Sequence, residues 1–263
     1  MVSVAFLGSH GLGVDCLDRL HDHREVDVEV VVTYPPDESH WWDGSVYDRA
    51  VELGYDILTI DEERELLEYP VEYLLSVYYP NILDDTLLEH PSKGALNLHQ
   101  AELPRYRGSN VFTHSILNAR ADDYWRHGTT LHFMVEAVDE GPVVDRRFID
   151  ITEADTARSL YEKTREASVE LFEDRLPAIV SGDVHELATP QSEFDGPRYF
   201  YSKASLDGRK EIPPERLTDP DQATAVYDLV RALDFPPFEP AYTTLGGNRV
   251  YLTKAGYERF RRE

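Results

Sequence analysis

"VSVAFLGSHGLGVDCLDRLHDH", residues 2–23, decides the fold. Val2 to Leu7 form a compact apolar run, closed by Gly8 and Ser9. Val14, Leu17 and Leu20 then recur at helical spacing. A buried strand that turns through glycines into a helix is the first half of a βαβ unit. The pattern continues along the chain. "VDVEVVVTYPP" (26–36) reads as a strand stopped by Pro35 and Pro36. "SVYDRAVELGYDILTI" (45–60) reads as a helix, a stop at Gly54 and a strand. "DEERELLEY" (61–69) is a short helix with acid in its first turn, which suits the helix dipole. "VEYLLSVYY" (71–79) and "KGALNLH" (93–99) are further strands, separated by a helical turn at "DDTLLEH". Strands alternating with helices predict a Rossmann-like α/β fold, a mostly parallel sheet flanked by helices.

The second half reads differently. "VFTHSILN" (111–118) is a helix. "HGTTLHFMVEAV" and "VVDRRFIDIT" form a strand pair joined by the turn-rich "DEGP" (139–142). A long helix follows and ends before Gly182. A Pro-, Gly- and polar-rich stretch then suggests a boundary between 185 and 200. The expected division is a catalytic domain over 1–190 and a small α+β appendage over 191–263. That appendage holds a helix at 222–235 and a hairpin turning at Gly246, Gly247 and Asn248.

The chain of 263 residues has a net charge of −24 and only five lysines. A strongly negative, lysine-poor surface resembles proteins of salt-loving microbes, in which screening relieves self-repulsion. Such a surface makes nucleic acid a poor partner, since phosphates bind to basic surface. No apolar run is long enough to span a bilayer, and the N-terminus reads as a strand, not a signal peptide. The single Cys16 fits a cytoplasmic setting. Ten histidines invite a metal site, but none of the standard zinc spacings is present. "GSHGLG" (8–13) is not the dinucleotide order, and no acid closes the second strand to hold a ribose. No nucleophile elbow is present, and Cys16 lies in an apolar helix face, so covalent catalysis has no good candidate.

Asn97 and His99 stand two apart at the carboxyl end of an apolar strand, so they share one face. Sites in parallel sheets sit at such ends. Taken alone, the pair is equally well read as satisfied core polars. The wider pattern is more specific. Asn97-Leu98-His99, the loop Leu103-Pro104-Arg105-Tyr106-Arg107-Gly108, Thr130-Leu131-His132 and Asp139-Glu140-Gly141 resemble, in order and separation, the folate-dependent formyltransferase family. That family includes methionyl-tRNA, glycinamide ribonucleotide and sugar-nucleotide formyltransferases.

The resemblance implies 10-formyltetrahydrofolate as co-substrate and Asn97, His99 and Asp139 as catalytic residues. Formyl transfer passes through a tetrahedral intermediate, whose oxyanion an asparagine amide can stabilise without titrating. A histidine can carry the proton that the attacking amine loses and the leaving nitrogen gains, and a carboxylate favours its imidazolium. Asp139 also reads as a turn residue bonding its own backbone. His132 is expected to support the site from the neighbouring strand. The family places the pterin against two loops, here Tyr78, Tyr79, Ile82 and Leu83, and Val138 and Gly141. Tyr78-Tyr79 reads equally well as core. Gly8, Ser9 and His10 in the glycine turn, with Arg107, Gly108, Ser109 and Asn110, are the candidate acceptor contacts.

Where the family often has Ser-Leu-Leu-Pro, this chain has Ala101-Glu102-Leu103-Pro104, which leaves the acceptor open. The short, non-basic C-terminal region resembles that of the sugar-nucleotide enzymes. The expected reaction is therefore formylation of a primary amine on an amino-sugar nucleotide. Methionyl-tRNA and glycinamide ribonucleotide are the alternative acceptors. A 10-formyltetrahydrofolate hydrolase or a folate-binding protein without chemistry is the alternative of another class. A small-molecule amine is the expected partner, without nucleic acid, membrane or metal; a homodimer is left open.

Overall fold

The computed structural model describes residues 1–36 and 40–256. Its strands are β1 (Val2–Gly8), β2 (Val26–Thr33), β3 (Ile57–Thr59), β4 (Tyr73–Val77), β5 (Gly94–His99), β6 (Tyr106–Gly108), β7 (Arg126–Phe133), β8 (Val143–Asp150), β9 (Tyr199–Tyr201), β10 (Ala241–Leu245) and β11 (Asn248–Leu252). The α-helices are α1 (His10–Asp22), α2 (Val46–Leu53), α3 (Asp85–Leu88), α4 (Val111–Ala121), α5 (Ala157–Ser181), α6 (Val184–Leu187), α7 (Pro214–Thr218) and α8 (Ala223–Ala232). The acidic segment at 61–69 makes a 3-10 helix, Glu63–Glu68, instead of an α-helix.

A seven-stranded sheet runs in the order β3-β2-β1-β4-β5-β7-β8. The pairings of β3 with β2, β2 with β1, β1 with β4 and β4 with β5 are parallel, and β7 joins β5 antiparallel. This is the mostly parallel α/β sheet that the sequence predicts. Its central strands are buried on both faces, which is why β1 and β4 read as continuous apolar runs. One face packs Phe6, Leu75, Leu96 and Leu98 against Leu12, Leu17 and Leu20 of α1 and Leu171, Phe172 and Ile179 of α5. The other buries Ala5, Leu7, Val30, Val32, Leu74 and Ala95 with Leu66, Leu83 and Leu87.

The chain falls into two compact units. The first comprises Met1–Arg107, Gly128–Arg147 and Arg165–Arg198. The second comprises Gly108–His127, Phe148–Thr164 and the described residues from Tyr199 onward. The expected domains follow a single cut between 190 and 191, whereas these units interleave. The reason is that α8 packs Ala232 into a cluster with Ile116, Ala119, Ile151, Ala157 and Leu160, residues of the middle of the chain. Arg231 is fully buried in this second unit. Its guanidinium donates to Asp228 Oδ1 and to the carbonyls of Thr152 and Asp155, which compensates the charge. The hairpin β10–β11 has the predicted turn between Leu245 and Asn248.

Candidate active site

The parallel register sets Gly8 beside Val77 and Val77 beside Leu98, so the ends of β1, β4 and β5 form one edge of the sheet. Asn97 and His99 stand on one face of β5. Across the antiparallel pair, His132 of β7 is the direct partner of Asn97, and Thr130 that of His99. Cross-strand partners point to the same face, which brings His132 to the pair.

Hydrogen bonds fix one ring nitrogen of each imidazole as a donor. His132 Nδ1 lies 2.8 Å from the carbonyl of Phe133, which can only accept, so Nδ1 carries the hydrogen. Nε2 is then a lone pair and accepts from Asn97 Nδ2 at 3.2 Å. Complete burial holds His132 neutral, with its pKa pushed down to about 4; Asp139 opposes the shift and His99 adds to it. His99 Nε2 lies 2.9 Å from the carbonyl of Tyr106 and therefore donates to it. That leaves His99 Nδ1 as the atom able to gain or lose a proton. It faces Asp139 Oδ1 at 3.7 Å, and the same oxygen lies 3.6 Å from His132 Nε2. Asn97 keeps its second amide hydrogen for another acceptor.

The end of β5 is held by a buried polar lattice. Thr129 Oγ1 donates to the carbonyl of His99, and Thr130 Oγ1 to that of Ala101. Ser168 of α5 joins Gln100 at 3.0 Å to Thr129 at 2.8 Å. Glu102, at the break in the family pattern, is buried with Arg146 Nη1 3.8 Å away. That guanidinium also donates to the carbonyl of Leu103 and lies over the ring of Phe194. The added carboxylate is thus charge-compensated.

Asp139 sits in a tight turn with φ +56°, a left-handed conformation uncommon for a residue with a side chain. Three features hold it. Arg107 pairs with the adjacent Glu140. Gly141 packs so closely that a Cβ would stand 1.9 Å from the carbonyl oxygen of Phe133. Gln191 Nε2 donates to the carbonyls of both Asp139 and Gly141, at 2.7 and 2.8 Å. Sequence reading missed Gln191, which lies 52 residues beyond Asp139 in a Pro-rich stretch. It also gave His132 only a general supporting role, whereas the structure bonds it to Asn97.

The remaining candidates scatter. Leu83 is buried in the core, and the Tyr79 hydroxyl donates to Glu63, with burial pushing its pKa up. Ile82 is 76 % exposed and Val138 half-buried. Tyr78 has φ +53° and stacks on His10. Ser9 is the N-cap of α1, and its hydroxyl donates to the carbonyl of Tyr78. In the second unit, a Cβ on Gly108 would stand 2.2 Å from the Tyr201 carbonyl oxygen, and the Ser109 amide donates to that oxygen. Asn110 spends its amide on the carbonyls of Ser202 and Lys203 and on Ser205 Oγ. Gly108, Ser109 and Asn110 therefore serve the fold of the second unit. Among the described residues no group of three or more His, Cys, Asp or Glu side chains could hold a metal ion, and no helix is long and apolar enough to cross a membrane.

An amide donor, an imidazole and a carboxylate gathered on one sheet edge are the groups that a group-transfer site needs to steady an oxyanion and move a proton. The formyl transferase family model matches residues 59–176, the span that carries Asn97, His99, His132 and Asp139. Over this span the chain carries a formyl transferase domain. It is 28 % identical over 275 residues to a methionyl-tRNA formyltransferase of Listeria innocua, with 98 % of this chain and 80 % of that protein aligned. Its fold is similar to that of an N-formyltransferase of Helicobacter canadensis, solved with folinic acid and dTDP-3-aminofucose (TM-score 0.71, 18 % identity, 95 % of this chain and 86 % of that one). It is also similar to a 4-N formyltransferase of Francisella tularensis (TM-score 0.75, 17 % identity, 96 % of each chain).

Proposed function

We propose that this protein moves the formyl group of 10-formyltetrahydrofolate to a primary amine on a nucleotide-linked amino sugar. The arrangement of His99, Asp139, His132 and Asn97 carries the reading. The folate supplies an activated formyl carbon. Asn97 offers its free amide hydrogen to the formyl oxygen as charge builds there, while His132 holds the other and fixes the plane of the amide. His99 Nδ1 takes the proton of the attacking amine and returns it to the departing nitrogen. Asp139 stabilises the imidazolium formed between those steps from its place 3.7 Å from His99 Nδ1. The backbone near Tyr78, Ile82, Val138 and Gly141 is the ground against which the pterin would rest, since Leu83 and Tyr79 are committed elsewhere.

The Helicobacter structure, solved with dTDP-3-aminofucose, supports a small acceptor, as does a chain whose net charge of −24 opposes polyanion binding. Methionyl-tRNA is the second reading, favoured by the Listeria relative. Supplying purified protein with 10-formyltetrahydrofolate and either acceptor class decides between them. Turnover with an amino-sugar nucleotide supports the proposal; turnover with methionyl-tRNA alone overturns it.

A further inference from the structure

Glu102 stands where the chain breaks the family pattern, and the proposed reaction gives it no part. It is buried, with Arg146 Nη1 3.8 Å from its Oε1. Burying a carboxylate costs free energy unless it is paired, and a leucine would fill the position without that cost. What the pair adds is direction. Arg146 lies at the meeting point of two arms, both within the first unit.

The first arm leads to His99. Arg146 Nη1 donates to the carbonyl of Leu103 at 3.0 Å. The amide of the same leucine donates to Thr130 Oγ1 at 3.1 Å. Leu103, fully buried, is thus gripped from β7 and β8 at once. The Tyr106 amide donates to the carbonyl of Glu102 at 2.8 Å, and the Tyr106 carbonyl is the acceptor that anchors His99 Nε2. A shift of residues 102 and 103 therefore carries Tyr106 with it and turns the imidazole.

The second arm leads to Asp139. The Arg146 guanidinium carbon lies 4.0 Å from the centre of the Phe194 ring, a cation–π contact. The Phe194 amide donates to the carbonyl of Gln191, and Arg198 Nη2 donates to the carbonyls of both residues. Gln191 Nε2 in turn holds the carbonyls of Asp139 and Gly141. Paired backbone bonds between Val143 and Thr189, 2.8 Å each, lay this segment along β8.

Strand pairing sets the backbones of β5 and β7, but His99 and Asp139 are each steadied by a loop, and one guanidinium fastens both loops. We propose that Arg146, oriented by Glu102, is a positioning residue that sets the spacing between His99 Nδ1 and Asp139. It acts through Leu103 and Phe194, not on the reacting atoms. The assignment rests on the proton step given to His99 above.

The test reads geometry and rate separately. Histidine side-chain 1H–15N correlation spectra, with His99 assigned by the signals lost in His99→Ala, report which ring nitrogen carries the hydrogen. Wild-type His99 should carry it on Nε2, and Arg146→Ala should lose that single tautomer. The same variant should lower kcat about 10- to 100-fold, the scale of a misplacement of about 1 Å, with KM for both substrates within about threefold of wild type. Arg146→Lys, which can still donate to Leu103 and face Glu102, should recover part of kcat. Glu102→Leu alone should lower kcat, but added to Arg146→Ala it should cost nothing more, because the two side chains act as one unit. Losses that add would overturn the part given to Glu102.

A residue that only stabilised the fold would shift the urea midpoint in Arg146→Ala and leave kcat per folded molecule and the His99 signals as in the wild type; that result overturns the proposal. Should Arg146→Ala not fold, Phe194→Leu, which trims the other end of the joint, is read in the same way. Formyl transfer by the wild type separates the two claims. A lost His99 tautomer in Arg146→Ala, without transfer by the wild type, sinks the reaction and keeps the joint. Transfer at equal kcat by both proteins, with the Nε2 tautomer kept, sinks the joint and keeps the reaction.

Discussion

His99 Nδ1 faces Asp139 Oδ1 at 3.7 Å, while its Nε2 is committed to the carbonyl of Tyr106. One nitrogen anchors the ring, and the proposed reaction assigns the proton to the other. His99→Ala should lower kcat about 10²- to 10⁴-fold, the range of a lost general acid–base. Asp139→Asn should keep the fold and lower kcat, because the imidazolium loses its counter-charge. Steady-state kinetics checks both; an unchanged kcat in Asp139→Asn would remove the carboxylate from the proton step.

In the proposed reaction Asn97 acts through a hydrogen that cannot titrate. Asn97→Ala should cost about 10²- to 10³-fold in kcat, as for other lost oxyanion donors. Asn97→Asp should be no better, since a carboxylate donates nothing and repels the developing charge. Because His132 holds the other amide hydrogen, His132→Gln should show a smaller kcat loss than Asn97→Ala. Equal losses would mean that His132 does more than orient the amide.

Gln191 reaches Asp139 and Gly141 through two hydrogen bonds, the one to Gly141 fully buried. Gln191→Ala leaves two carbonyls unsatisfied and should destabilise the protein by about 1–3 kcal/mol while lowering kcat. Gln191→Glu should be worse near neutral pH, because one carboxylate cannot donate to two carbonyls. Gly141→Ala should unfold more readily than either, as its Cβ collides with the backbone of Phe133. Chemical denaturation with parallel activity measurements reads all three.

Burial keeps His132 neutral in the folded protein, with a pKa near 4, against about 6.5 in the unfolded chain. The unfolded state then binds more protons between these values, so stability falls as pH drops from about 6.5 to 4 and falls no further from this residue below that. The full loss is on the order of 3 kcal/mol. Urea unfolding across that window should be flatter for His132→Gln than for the wild type. A matching slope would show that His132 protonates without opposing the fold.

A net charge of −24 should make stability depend on salt. Screening shortens the reach of like-charge repulsion, from a Debye length of about 10 Å at 0.1 M to about 3 Å at 1 M. The melting temperature is expected to rise between 0.1 and 2 M KCl. A flat or falling curve would contradict the salt-adapted reading of the composition.

The sheet was legible because its evidence is local: apolar runs such as Val4–Leu7 and Tyr73–Val77, Gly54 after a helix, and Pro35-Pro36 after a strand. Asn97 and His99 were legible as a pair because a strand alternates its faces. The division into units was not. The contacts of Ala232 with Ile116 and Leu160 join segments far apart in the chain, and no local pattern records them. Gln191 escaped for the same reason, since a carboxamide in a loop carries no sign of the turn it will hold. Asn110 shows the converse. It looked like a polar residue offered to a substrate, but its amide is consumed by Ser202, Lys203 and Ser205.

The central claim is that His99, Asn97 and Asp139 move a formyl group to an amine. The direct measurement is mass-resolved product analysis after incubating wild-type protein and His99→Ala with 10-formyltetrahydrofolate and an amino-sugar nucleotide in molar salt. The account predicts an acceptor heavier by one formyl group in place of an amine hydrogen, matched by tetrahydrofolate release, and neither product with His99→Ala. Formate release without any amine, or formylated acceptor at wild-type rate from His99→Ala, would contradict it.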